Sequence, residues 1–209
     1  MRIISGEHRG QRLAAPPGQG TRPMLGRVRE AMFSTLGSGL EGALVLDLFA
    51  GTGSLGLEAL SRGAERTLFV ERDRRVVRVL EQNIEALGED ERSVVRSADA
   101  LDPRVWAALG PEPPLVCFLD PPYPFLDDER RALVFAAIEE LRHNFLAPGG
   151  RIVFHAPRRK VDANHFAKGC VVHERVYGNS ALWYIEPAGD GEAAAEQHED
   201  SDTDAEGSE

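Results

Sequence analysis

The sequence predicts an α/β fold: a mostly parallel seven-stranded sheet with helices on both faces, ending in an antiparallel hairpin. Three observations predict it. Strand-like runs near 43–48, 67–71, 94–95, 115–120 and 151–155 alternate with helical segments, the rhythm of strand–helix–strand units. The runs at 43–48 and 115–119 are apolar almost throughout, as in strands buried on both faces. The runs 171–176 and 181–185 are joined only by Tyr177-Gly178-Asn179-Ser180. That link is too short for a crossover helix, so the last pair is antiparallel.

In chain order, residues 2–20 read as a short hairpin, with Arg2-Ile3-Ile4-Ser5 facing Gln11-Arg12-Leu13 before Pro16-Pro17-Gly18. A helix follows Pro23, with Val28, Met32 and Leu36 on one face. Further helices are expected near 54–62, 74–87, 103–109 and 128–145, the last ended by Ala147-Pro148-Gly149-Gly150. Three regions result: a basic hairpin-plus-helix extension at 1–40, the main domain at 41–187 and a tail at 188–209. The tail has nine acids, no Lys or Arg and no large apolar side chain. It cannot offset its ordering entropy and is expected to be disordered.

Composition narrows the function. With 209 residues and 42% hydrophobic content the chain can bury a core. No apolar run approaches the roughly 18 residues of a membrane span. The first residues lack an apolar leader, so a cytoplasmic protein is expected. Two cysteines, Cys117 and Cys170, make no disulfide framework or four-cysteine zinc site. The six histidines show no convincing ligand spacing, so no metal is expected. The net charge of −10 is unevenly spread. Without the tail's nine acids, 25 acids face 24 bases, while residues 1–40 hold six arginines against Glu7 and Glu30. That basic front can attract a polyanion despite the overall sign.

The chemistry concentrates at two turns. Asp47-Leu48-Phe49-Ala50-Gly51-Thr52-Gly53-Ser54-Leu55-Gly56 leaves the first buried strand and enters a helix. Its G-x-G-x-x-G spacing lets backbone approach a ligand above the carboxyl ends of the strands. Glu71, twenty residues after Gly51, can accept two ribose hydroxyl protons. Asp99 can accept from an adenine amino group. This much permits either a dinucleotide or S-adenosylmethionine. Asp120-Pro121-Pro122-Tyr123 follows the fourth buried strand. Its prolines remove two N–H donors, leaving the Asp120 carboxylate and a carbonyl as acceptors beside the flat face of Tyr123. Such a set suits the exocyclic amino group of a stacked base, holding both its protons and localising its lone pair. The arginines before the first strand can grip phosphate in bidentate fashion.

A parallel sheet closed by an antiparallel hairpin is the layout of the class I S-adenosylmethionine-dependent methyltransferase, or Rossmann-like, fold. The sequence also resembles the bacterial RsmD family over about residues 2–186. The resemblance rests on Arg2-Ile3-Ile4-Ser5-Gly6, Arg22-Pro23, Arg27-Val28-Arg29-Glu30-Ala31-Met32-Phe33, the 47–53 turn, 57–64, Asp120-Pro121-Pro122-Tyr123 and Tyr177-Gly178. It departs at Met24 and Gly26, where the family usually has Thr and Asp. The resemblance implies a methyltransferase acting on the 2-amino group of a guanine in 16S ribosomal RNA. It implies S-adenosylmethionine at Asp47, Phe49, Ala50, Gly51, Thr52, Gly53, Glu71, Arg72, Asp99 and Ala100. It gives the target base to Asp120, Pro121, Pro122 and Tyr123, and the RNA to Arg9, Arg22, Arg27 and Arg29. The expected partner is 16S ribosomal RNA or a small-subunit assembly intermediate, met by a monomer. Adenine-N6 methylation of DNA or RNA, and NAD-dependent oxidoreduction, are the rival activities; an RNA-binding module without catalysis is a third.

Overall fold

A computed structural model describes residues 1–16, 24, 26–127, 129–166 and 169–187. Arg22, Pro23, the loop from Pro17 and the tail at 188–209 lie outside the described residues, so the expectations placed on them do too.

The sheet has seven strands in the order β3-β2-β1-β4-β5-β7-β6. They are β1 (Leu44–Leu48), β2 (Arg66–Val70), β3 (Ser93–Arg96), β4 (Val116–Leu119), β5 (Arg151–Pro157), β6 (Cys170–Tyr177) and β7 (Ser180–Pro187). The first five run parallel, and β7 is antiparallel to both β5 and β6. The helices are α1 (Gly26–Leu36), α2 (Gly56–Ser61), α3 (Arg74–Leu87), α4 (Pro103–Trp106) and α5 (Arg130–Glu140). Capping matches the local sequence. Asp73 accepts from the Arg75 N–H to start α3, and Gly88 ends it at φ +71°.

The strands are apolar on both faces because both are covered. Leu44, Leu46, Leu48, Cys117, Leu119, Ile152 and Phe154 face a core shared with α5 and Trp106. The alternate residues Val45, Phe69, Val116, Phe118 and Val153 face a second core. That second core includes Ile3, Leu13, Val28, Met32 and Phe33. The N-terminal segment is thus one wall of the main core, not a body with a core of its own. Its hairpin is present, with Arg2 bridged to Arg12. The weld is Glu58, a fully buried acid of α2 that accepts from the N–H groups of Ile4 (2.7 Å) and Ser5 (3.0 Å) and pairs with Arg62. Buried Asn83 of α3 ties Ala14 to the glycine turn, bonding Ala14 N–H at 2.7 Å and the Thr52 carbonyl at 3.0 Å.

Candidate active site

Register sets the level of the cleft. Leu48 of β1 pairs with Val70 of β2 and Leu119 of β4. Phe49, Glu71 and Asp120 therefore leave three adjacent strands at the same end of the sheet. Strand order reverses between β1 and β4, where open α/β sheets place their ligands. The two turns singled out in the sequence share this crevice, as a transfer site requires.

On the β1–β2 side, backbone groups do the holding. Glu71 accepts from the Gly51 N–H (3.1 Å) and the Asp73 N–H (2.8 Å). Two acceptor positions used still leave lone pairs for ligand hydroxyls. Asp47 is buried and accepts from the Gly56 N–H at 2.8 Å. Burial pushes its carboxyl up to about 7; the Gly56 bond opposes this, and nearby Asp120 and Glu71 add to it. Asp47 therefore feels both other carboxylates of the cleft. The backbone is strained, with Phe49 at φ +62°. Gly51, at φ +55°, has open space where a Cβ would stand, a cradle for a ligand. Gly53 and Gly56 have a different reason to be glycine. A Cβ on Gly53 would meet Leu80 at 2.4 Å, and one on Gly56 would meet Phe69 at 2.3 Å. Close packing excludes a side chain there, against helix side chains at Gly53 and against β2 at Gly56, and Gly53 also sits at φ +85°. Thr52 is half-buried and Ala50 buried beside them.

Further along the rim, Arg72 is exposed and stacks 5.5 Å from the centre of the Phe125 ring. Asp99 is exposed and one of its oxygens accepts from the Leu101 N–H. Buried Ala100 holds the Trp106 indole through its carbonyl.

On the β4–β5 side, Asp120 is half-buried and Oδ1 lies 2.7 Å from Nδ1 of His155. His155 was not legible as a site residue. It reaches Asp120 because Leu119 and Phe154 are register partners, so the two polar residues follow side by side. A polar residue in the apolar stretch from Ile152 to Ala156 was the available signal. Pro121 is buried and Pro122 exposed. The Pro122 carbonyl accepts from Phe125 N–H, closing the turn. Tyr123 is 42% exposed, its hydroxyl 3.3 Å from the Ser180 hydroxyl.

The arginines separate. Arg27 is exposed, with Nη2 3.8 Å from the Cβ position of Gly178 at the β6–β7 turn. Arg9 is exposed on a polar depression of about 380 Å³ with Arg62 and Glu30, away from the turns. Arg29 corrects the expectation. It is 3% exposed and donates to the Arg2 carbonyl, and burial lowers its pKa. It props up the N-terminal hairpin from inside, with its guanidinium turned to the Arg2 carbonyl and not to solvent. Sequence reasoning also passed over Arg158 and Arg159. Both are exposed, and the Arg158 N–H donates to Asn179 at the β6–β7 turn. Among the described residues, Arg27, Arg158 and Arg159 make no ion pair. Glu7, His8 and Glu89 do cluster, but Arg92 already pairs with both acids, at 3.5 and 2.5 Å.

This arrangement can be set beside known proteins. The family described as Conserved hypothetical protein 95 matches residues 1–186. YlbH of Bacillus subtilis is 41% identical over 123 residues, 59% of this chain and 67% of the relative. Ribosomal RNA small subunit methyltransferase D of Escherichia coli K12 is 39% identical over 144 residues, 69% of this chain and 68% of the relative. Among solved structures, yhhF of Escherichia coli superposes with a TM-score of 0.75 at 31% identity, covering 90% of this chain and 98% of its own. The fold alone is shared with an RNA methyltransferase of Salinibacter ruber in complex with S-adenosyl-L-homocysteine (TM-score 0.56, 17% identity, 79% of this chain and 94% of its own). The chain belongs to the family of Conserved hypothetical protein 95, the RsmD family, and carries the Rossmann-like fold of S-adenosylmethionine-dependent methyltransferases.

Proposed function

We propose that this protein transfers a methyl group from S-adenosylmethionine to the exocyclic N2 amino group of a guanine in small-subunit ribosomal RNA. One observation carries the reading: an acceptor-rich turn, Asp120 to Tyr123, faces the glycine turn in a single crevice at the strand-order reversal. The relatives include ribosomal RNA small subunit methyltransferases, which supports the substrate class.

The cleft fits the cofactor. Asp120 and Glu71 lie close enough to Asp47 to raise its cost of ionisation. That potential favours a ligand bearing a sulfonium and an ammonium, and opposes the anionic pyrophosphate of a dinucleotide. Glu71 would hold the ribose, and Gly51 would leave it room. Asp99 and Arg72 would border the adenine end. When bound, the cofactor supplies an electrophilic methyl group.

The chain's own residues do the rest. Asp120 would accept one amino proton of the target base, and the Pro121 carbonyl would take the other. The prolines offer no competing N–H. Tyr123 gives the base a face to stack on. Both protons held, the nitrogen lone pair is localised and aimed across the cleft, so the enzyme works by positioning and electrostatics. The base must be unpaired or swung out to enter. Arg27 on one flank of the β6–β7 turn and Arg158 with Arg159 on the other would grip phosphates beside it.

Mass spectrometry of ribosomal RNA nucleosides from cells with and without the gene tests this. The expected result is loss of one N2-methylguanosine from 16S ribosomal RNA. An unchanged guanine profile overturns it, and a lost N6-methyladenosine would move the activity to the rival base.

A further inference from the structure

His155 has no stated role in methyl transfer, yet its burial is costly. It lies within β5, between buried Phe154 and Ala156. The residue is a histidine, 4% exposed, and its Nε2 is sealed from solvent with no hydrogen-bond partner among the described residues. Buried polar atoms are rarely left unpaired, and each exception asks for a reason. Among the described residues, the ring's one hydrogen bond runs from Nδ1 to Asp120 Oδ1, at 2.7 Å. The Tyr123 ring is the next aromatic neighbour, with centroids 5.9 Å apart.

We propose that His155 is a positioning residue that locks the Asp120 carboxylate for the acceptor base; the assignment rests on the functional reading above. A proton on Nε2 would be a buried donor with nothing to receive it. The ring proton therefore sits on Nδ1, where the carboxylate accepts it. That bond occupies Oδ1 and fixes the carboxylate plane. The other oxygen, Oδ2, is left to face the amino group. The same geometry excludes a relay. With Nε2 closed off, His155 has no second site through which to pass a proton, so it holds Asp120 and does not shuttle for it.

The test uses the full-length protein, 16S ribosomal RNA transcripts or small subunits lacking the modification, and S-adenosylhomocysteine. His155→Phe keeps the ring and removes the donor. His155→Asn puts an amide nitrogen near the Nδ1 position. With melting curves confirming folding, His155→Phe is expected to lower kcat about 10- to 100-fold, the scale of a misplaced catalytic group. Affinity for S-adenosylhomocysteine should stay within about twofold, because no cofactor contact is touched. His155→Asn should recover much of the lost kcat. Phe at the wild-type rate, or Asn no better than Phe, overturns the proposal. Should the Phe variant fail to fold, long-range proton–nitrogen spectra of the wild type decide it: a proton on Nδ1 supports the lock, and one on Nε2 sinks it. A wild-type protein that binds S-adenosylhomocysteine but leaves both RNA substrates unmethylated would refute the functional reading instead, and the tautomer would still be measured.

Discussion

On the β1–β2 side of the cleft, carboxylates are held by backbone N–H groups: Glu71 by Gly51 and Asp73, Asp47 by Gly56. On the β4–β5 side, Asp120 is held by a side chain, His155, from the neighbouring strand. Backbone donors need no donor side chain, so the first side depends on conformation, and through it on the glycines at 51 and 56 that permit the turn. The second depends on one residue being histidine. The first side suits a ligand bound the same way in every cycle. The second suits a group whose exact direction sets the rate.

The sharpest way to break that contrast is to remove one carboxylate from each side. Asp120→Ala should lower kcat by roughly 10³, the scale of losing a preorganised acceptor at the reacting centre. Binding of S-adenosylhomocysteine, measured by calorimetry, should survive. Loss of binding with a normal rate at saturation would put Asp120 on the cofactor side. Glu71→Ala should do the reverse. It deletes two charge-assisted backbone bonds as well as the ribose acceptor, so affinity should fall about 10- to 100-fold, with kcat at saturation near wild type.

Asp47 sharpens the comparison through pH. Its folded-state pKa, about 7, lies above the ordinary 3.8. The native state then binds the proton more tightly than the unfolded chain. Its contribution to stability is fully present below about pH 4 and is lost as pH rises through 7. The ceiling is about 4 kcal/mol. Asp47→Asn keeps an acceptor for the Gly56 N–H and removes the titration. The stability gap between variant and wild type, followed by urea unfolding from pH 5 to 8.5, should widen in favour of the variant as pH rises. A constant gap would mean that Asp47 is not held away from its charged form.

The same contrast explains what the sequence made legible. The glycine turn and Glu71 are close in the chain, and their spacing is set by one short helix, one turn and one strand. A local pattern therefore sufficed. Asp120 was found because Asp-Pro-Pro-Tyr is itself local. His155 was not, because its partner lies 35 residues away and only strand register joins them. Glu58 was missed for a similar reason: it reads as a surface acid on a helix, yet its donors are Ile4 and Ser5. Gly53 and Gly56 were placed correctly but for an incomplete reason, since the atoms that exclude a Cβ belong to Leu80 and Phe69. Arg29 carried a signal that a charge count hides. It precedes Met32 by three and Phe33 by four, so helical periodicity puts it on the buried face of α1.

The smallest expected effects concern the arginines, and they separate a rim contact from a strut. Arg27, Arg158 and Arg159 are exposed about the β6–β7 turn, beside Tyr123 through Ser180. Each replaced by Ser should weaken RNA binding a few-fold. Each should also lower the slope of log affinity against log salt by about 0.7–0.9, the release expected per phosphate contact. Thermal stability should hold, since none makes an internal ion pair among the described residues. Arg29→Met should behave in the opposite way. It should cost about 1–3 kcal/mol of stability, because the Arg2 carbonyl loses its buried donor, and leave the salt slope untouched. Filter binding from 50 to 300 mM salt, with melts on the same samples, reads both. A slope that falls for Arg29→Met and not for Arg27→Ser would reverse the two roles. It would also mean that RNA enters from the N-terminal hairpin rather than over the β6–β7 turn, leaving the acceptor side of the cleft without its phosphate grip.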